Sequence, residues 1–184
     1  VVSRVASHQR WIWERALNRT LTPPELKELY ELEKLMLSRK ALPSGRSLWL
    51  GGTEVAKRRE ASQFSCSFLN VETVHDAVDA LWLLLQGCGV GFRPVYGTLS
   101  GFARRIPKVD FIRTQRVGKG GLESNQESYN DNVWTIRIGD SAEAWAKSLG
   151  KLLAGKRPAL RLIIDCSEIR PAGDRLTGYG WISS

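Results

Sequence analysis

The stretch QFSCSFLNVETVHDAVDALWLLLQGCGVGF, from Gln63 to Phe92, constrains more than any other what this chain can fold into. Cys66 stands in a short apolar segment, between Ser65 and Ser67 and close to Phe64, Phe68 and Leu69. That composition suits a strand of about six residues. Thr73 followed by Asp76 has the spacing of a capping box, which predicts a helix starting near Val74. Val74, Ala77, Val78, Leu81, Leu84 and Leu85 recur at helical spacing. Gly87 is a natural stop, because glycine takes the left-handed conformation after a helix without a Cβ penalty. Gly87, Gly89 and Gly91 then form a glycine-rich turn that lets backbone approach a ligand or another strand.

Composition narrows the class. An apolar fraction of 42% can build a core. The longest apolar run, Ala80 to Leu85, falls far short of the ~18 residues a membrane span needs. Val1 to Arg19 is polar, basic and tryptophan-containing, unlike the apolar core of a signal peptide. A first residue of Val reads as a processed or incomplete start. The net charge is +8, from 27 Lys+Arg against 19 Asp+Glu, which favours phosphate-bearing partners or reflects an ordinary basic surface. Three cysteines without a CxxC argue against a secreted disulfide scaffold and a structural zinc site, so no metal is expected and a reducing cytoplasm is the natural compartment.

Along the chain, residues 1–42 read as a helical region. Val1 to Thr20 shows no clear period, though Trp11, Ile12, Trp13 and Leu17 suit a short helix face. Thr22, Pro23 and Glu25 predict a second helix running to about Arg39, with Leu26, Leu29, Tyr30, Met36 and Leu37 inward. Pro43-Ser44-Gly45 breaks the chain. Residues 43–92 hold an apolar connection, Arg46 to Leu50, a charged loop, Glu54 to Glu60, and then the strand, helix and glycine-rich turn described above. Residues 93–158 open with basic residues among glycines, including Arg104, Arg105 and Lys108, a pattern that suits either a phosphate-contacting loop or a solvated one. Val133 to Ile138 reads as a strand, and Asp140 with Glu143 as the cap of a helix lined by Ala142, Trp145, Ala146, Leu149, Leu152 and Leu153. Residues 159–184 contain Leu160 to Ile164, a strand buried on both faces, and the turn that follows. Strands alternating with helices give an α/β class.

Five segments, in order, carry a resemblance: SGRSLWLGGT (Ser44 to Thr53), Cys66 among small residues (Gln63 to Asn70), QGCGVGF (Gln86 to Phe92), Asp140 to Trp145, and Ile164 to Gly180 with its SEIRPAG and GYG. Together they resemble the amino-terminal part of a ribonucleotide reductase, most of all the monomeric adenosylcobalamin-dependent (class II) ribonucleoside-triphosphate reductases. The resemblance implies the first part of a ten-stranded α/β barrel, with the Leu160–Ile164 strand beside the Cys66 strand and the Val74–Gln86 helix packed outside. It implies reduction of ribonucleoside triphosphates to deoxyribonucleotides by thiyl-radical chemistry with a redox-active cysteine pair. In the family one member of that pair lies on the first barrel strand, where Cys66 stands; its partner lies downstream of this chain. Ser65, Ser67, Gly89, Val90 and Gly91 fall at substrate-proximal positions. Glycine is usual where Cys88 stands, and again where Trp181 stands. The region from about Arg93 to Pro158 corresponds to an insertion that binds a deoxynucleoside triphosphate effector, with Arg104, Arg105 and Lys108 as candidate phosphate ligands. Adenosylcobalamin, held mostly by downstream residues, a thioredoxin-type reductant and a companion chain carrying the remaining barrel are the implied cofactor and partners. Alone, the chain is expected to be inactive.

Without the resemblance, Cys66 reads as a buried apolar side chain, the commonest fate of a free cysteine. Cys166 reads as structural, and His75 as a first-turn residue of its helix. The rival function is a small basic nucleotide- or nucleic-acid-binding module without catalysis, supported by the charge and by the Arg93–Lys119 region. A cysteine hydrolase lacks a credible histidine partner.

Overall fold

The structure is a computed structural model that describes residues 1–95, 107–113 and 121–174. It divides into two compact units, Val1–Ser65 and Cys66–Ser184. No helix among the described residues is long and apolar enough to cross a membrane.

The first unit is helical. Its leading element, α1, spans Val2–Leu17, well beyond the short helix face expected there. The period was hard to read because the fully buried stripe is only Val5 and the polar His8. Asn18 ends α1 in the left-handed conformation, φ 52°, with its N–H donating to the Arg15 and Glu14 carbonyls. The second helix, α2, spans Pro23–Leu37. The Glu25 carboxylate accepts from the Thr22 N–H at 2.7 Å and the Thr22 hydroxyl at 2.8 Å, the predicted capping box. Arg19 and these bonds hold the Glu25 pKa down at about 2. Within α2 only Met36 is buried; Leu26, Tyr30 and Leu37 are exposed, against the expectation that they face inward.

The apolar connection Arg46 to Leu50 is helical, part of α3, Gly45–Leu50, capped by the Ser44 hydroxyl. Glu54 to Glu60 is likewise no loop: α4 spans Glu54–Arg58 and a 3-10 turn follows at Glu60–Gln63. Thr53 caps α4 through Ala56 N–H, a local bond that stabilises a turn of helix where charge alone suggested solvated chain. Arg4 donates to the carbonyls of Leu48 at 2.7 Å, Trp49 at 3.2 Å and Gly51, so α1 supplies partners for the carbonyls at the end of α3. His8, 2% exposed, stacks on Trp11 at 5.4 Å and meets the Gln63 amide at 3.1 Å.

Among its described residues the second unit contains two sheets. The first joins β1, Cys66–Val71, to β2, Gly89–Pro94, in parallel, with α5, Val74–Leu85, between them in sequence. The capping box at Thr73 and Asp76 forms as predicted, and Gly87 takes φ 79° after the helix. The second sheet holds β3, Lys108–Ile112, β4, Gln126–Asn130, β5, Val133–Arg137, and β6, Arg161–Asp165, in the order β3-β6-β5-β4. β4 and β5 form a hairpin whose turn residues, Asp131 and Asn132, both take positive φ (48° and 61°), the signature of a type I′ turn. A helix, α6, spanning Ala142–Ala154, connects β5 to the parallel β6. Trp134, Ile136, Ala159, Leu162 and Ile164 form the core of this sheet, with Leu152 of α6 packed against it. α5 and α6 also pack together, and a Cβ added at Gly150 would sit 2.9 Å from Val78 Cγ2.

Five expectations are corrected here. The glycine-rich turn is a strand: Gly89–Pro94 pairs residue for residue with Cys66–Val71. The neighbour of the Cys66 strand is therefore β2, whereas the Leu160–Ile164 segment lies in the other sheet, between β3 and β5. Glycines weaken a strand's sequence signal, but here Gly91 sits where backbone and the Phe68 ring come close. Lys108–Ile112, read as loop, is also a strand. The cap of α6 is Ser141, which accepts from the Ala144 N–H at 3.1 Å; Asp140 instead takes the Arg170 guanidinium at 2.9 and 3.0 Å. Trp145 is 36% exposed rather than lining the helix core, and its indole N–H donates to the Gly139 carbonyl.

Candidate active site around Cys66

Side chains alternate across a strand, and register partners in a parallel pair share a face. Cys66, Phe68 and Asn70 therefore share one face with their partners Gly89, Gly91 and Arg93, and all six are exposed. Ser67, Leu69 and Val71 share the other face with Val90, Phe92 and Pro94; Ser67, Leu69, Val71 and Val90 are half-buried or buried, whereas Phe92 and Pro94, towards the end of β2, are exposed. α5 packs against both strands, so the face that carries Cys66 is the one opposite the helix.

The candidate residues sort accordingly. Cys66 opens β1 as an exposed free thiol, not the buried apolar side chain that a free cysteine most often is. Gly89 lies level with it and Gly91 level with Phe68, so these three candidates, Cys66, Gly89 and Gly91, come together on one face. Ser65, just before the strand, is exposed. Ser67 and Val90 turn the other way: the Ser67 hydroxyl lies 3.5 Å from Cys88 Sγ. Cys88 is 3% exposed and its thiol also approaches the Gly89 carbonyl at 3.6 Å. It is thus close to Cys66 along the chain pairing yet points to the opposite face. Cys166 follows β6; its N–H donates to the Ile112 carbonyl at 2.9 Å, and burial pushes its thiol pKa up, with Asp165 adding to the shift. All three cysteines are free.

Lys108 heads β3 with an exposed side chain, its ammonium 3.9 Å from the Asp110 carboxylate. Asp110 also accepts from Arg161 Nε and is held below the ordinary carboxylate range chiefly by that bond. Arg104 and Arg105 lie outside the described residues. His75 is exposed on α5. Among the described residues no group of His, Cys, Asp or Glu is arranged to hold a metal ion.

Sequence reasoning passed over Phe68 and Arg93. Phe68 is 72% exposed on the Cys66 face, and a Cβ at Gly91 would meet its ring at 2.8 Å. The signal was present as a period of two from Cys66, but it becomes informative only once β2 is recognised as the partner strand.

No protein-family profile matches the chain. The fold is that of the class II, B12-dependent ribonucleotide reductases: a solved structure of one superposes with a TM-score of 0.65 over 97% of this chain and 30% of that chain, at 24% identity. In sequence the chain is similar to proteins named adenosylcobalamin-dependent ribonucleoside-triphosphate reductase, at 27% identity in Lactobacillus helveticus and 28% in Lactobacillus leichmannii. Each of these matches covers 85% of this chain, and the chain spans about a quarter (26%) of those relatives. The resemblance carried by the five sequence segments is thereby borne out, and so is its partial extent.

A corrin is a broad macrocycle that needs walls on more than one side. The Cys66 face is two strands wide and open, His8 is buried against Trp11 and Gln63, and His75 is exposed at the start of α5. The described residues do not by themselves fit the cofactor in the relatives' names.

Proposed function

We propose that this chain forms the amino-terminal portion of a class II ribonucleotide reductase acting on ribonucleoside triphosphates, with Cys66 as one thiol of its reducing pair. The observation that carries this is the position of Cys66: exposed, first in β1, on the helix-free face, level with Gly89 and one step from Gly91. A thiol there has no side chain beside it on the neighbouring strand, so substrate can approach the sulfur closely.

Removing the 2′-hydroxyl as water requires two electrons and two protons. Cys66 and a partner thiol supply both as their S–H bonds are replaced by one S–S bond. A thioredoxin-type dithiol then returns two electrons and two protons by exchange, restoring both thiols. Cys88 and Cys166 do not serve as the partner: Cys88 faces the other side of the sheet, and Cys166 follows a strand of the other sheet. The partner belongs to residues beyond this chain. Adenosylcobalamin, the cofactor in the relatives' names, would be held there too and would supply radical chemistry when bound. Residues 93–158 are proposed to receive a deoxynucleoside triphosphate effector, with the exposed Lys108 among its phosphate contacts; Arg104 and Arg105 complete that set.

The test uses the full-length protein. It is allowed to turn over without reductant, and its oxidised cysteines are mapped by mass spectrometry. A disulfide containing Cys66 is expected, and Cys66→Ser should abolish multiple turnover while retaining ribonucleotide binding. A disulfide that omits Cys66, or a fully active Cys66→Ser enzyme, overturns the assignment.

A further inference from the structure

Phe68 is a large apolar side chain that stays 72% exposed, on the same face as Cys66 and one step further along β1. Its ring does not stand out into solvent alone. It lies against the backbone of Gly91, its register partner, so closely that a Cβ there would come within 2.8 Å of Cδ2 and 3.5 Å of Cε2. Glycine on β2 is thus what lets the ring lie down across the neighbouring strand. The result is an aromatic surface beside an exposed thiol.

The charge on this face is one-sided. Among Cys66, Phe68, Asn70, Gly89, Gly91 and Arg93 the ionised side chain is a cation, Arg93, and none is a carboxylate. An aromatic surface with a cation and no anion suits a ligand that has a flat ring and negative charge. Residues two apart on a strand are about 6.6 Å apart, which is the scale on which a nucleoside separates its ribose from its base. We propose that Phe68 is the stacking platform for the base of the ribonucleotide whose ribose lies at Cys66, and that Gly91 is the residue that sets the ring in place. This inference rests on the reductase reading above.

Base–aromatic stacking tolerates every base, since each has a π-face. The platform therefore holds the base without selecting it, and choice among bases falls to other residues.

The experiment measures binding of radiolabelled CTP and GTP to the full-length protein by equilibrium ultrafiltration, beside ribose 5-triphosphate, which lacks a base. Phe68→Ala should weaken both nucleotides about tenfold, the change that losing ~1.4 kcal/mol of stacking produces. It should leave ribose 5-triphosphate unchanged. Phe68→Trp should retain nucleotide affinity and shows that the variant site is folded. Gly91→Ala should reproduce the Phe68→Ala loss by lifting the ring. Equal affinity of Phe68→Ala and the unaltered protein for CTP and GTP overturns the platform. So does an equal loss for ribose 5-triphosphate, which would mark Phe68 as a structural residue. If the unaltered protein binds no ribonucleotide at all, it is the reductase reading that fails.

Discussion

Arg137 and Asp165 are register partners on adjacent parallel strands, and Arg137 Nε donates to the Asp165 carboxylate at 2.8 Å. Asp165 is 3% exposed, and the Ser167 N–H donates to its other oxygen at 2.9 Å. Burial by itself raises the Asp165 pKa, but the bonds from Ser167 and Arg137 outweigh it, leaving the group below its ordinary value of 3.8. A depressed carboxylate contributes stability that is present above that ordinary value and lost as pH falls through the folded-state pKa. Asp165→Asn should therefore cost about 2 kcal/mol at neutral pH, the range for hydrogen bonds to a charged group. The difference should shrink below about pH 3.8. Urea unfolding of both proteins across pH checks both points.

His8 predicts a second pH effect, in the helical unit. Burial is the main cause that lowers its pKa from the ordinary 6.5, with Lys57 and Arg4 acting in the same direction and Gln63 and Glu60 against it. The unfolded chain then binds the proton more tightly than the folded one. Stability is full above pH 6.5 and declines as pH falls through the folded-state pKa. Replacing His8 with Leu should flatten that decline, read as the thermal midpoint between pH 7 and pH 5.

Gly150 and Val78 should be energetically coupled. In an exposed helix Gly→Ala normally stabilises by about 1 kcal/mol. At Gly150 the new methyl would lie 2.9 Å from Val78 Cγ2, so Gly150→Ala should instead destabilise by about 1 kcal/mol, as overpacking does. Adding Val78→Ala should relieve the clash. A double-mutant cycle by urea unfolding should give a coupling of at least about 0.5 kcal/mol.

Thiol chemistry should follow position. Iodoacetamide applied to the native chain is expected to modify Cys66 first, because it is exposed, then the half-buried Cys166, and Cys88 last. Peptide mapping at timed intervals reads the order. Fast labelling of Cys88 would contradict its packing against Ser67.

The local signals in this sequence were good and the pairing signals poor. Both capping boxes, at Thr22 and Thr73, and the strand at Cys66 were legible because each is decided within a few residues. α1 was harder, because His8 occupies a core position that an apolar residue usually fills. The partner of the Cys66 strand was not legible: Gly89 and Gly91 read as turn residues, and the place of Gly91 depends on the Phe68 ring, two strand positions from Cys66. For the same reason Cys66, Gly89 and Gly91 were found as candidates, whereas the separation of Ser67 and Val90 onto the other face awaited the register.

The placing of β6 between β3 and β5 has a consequence for how the chain is made. Within that sheet β6 is the most carboxy-terminal of the described strands, and Lys108 waits for Arg161 before it has a strand partner. Contacts so far apart in sequence raise the contact order and slow folding. During synthesis the β4–β5 hairpin can form early, but it then offers Trp134 and Ile136 without Leu162 and Ile164 to cover them. A nascent chain halted before Arg161 should present a sticky sheet edge, and one extended past Asp165 should not. Chaperone crosslinking to chains stalled on either side of β6 would register that change, with the final strand acting as the keystone of its sheet.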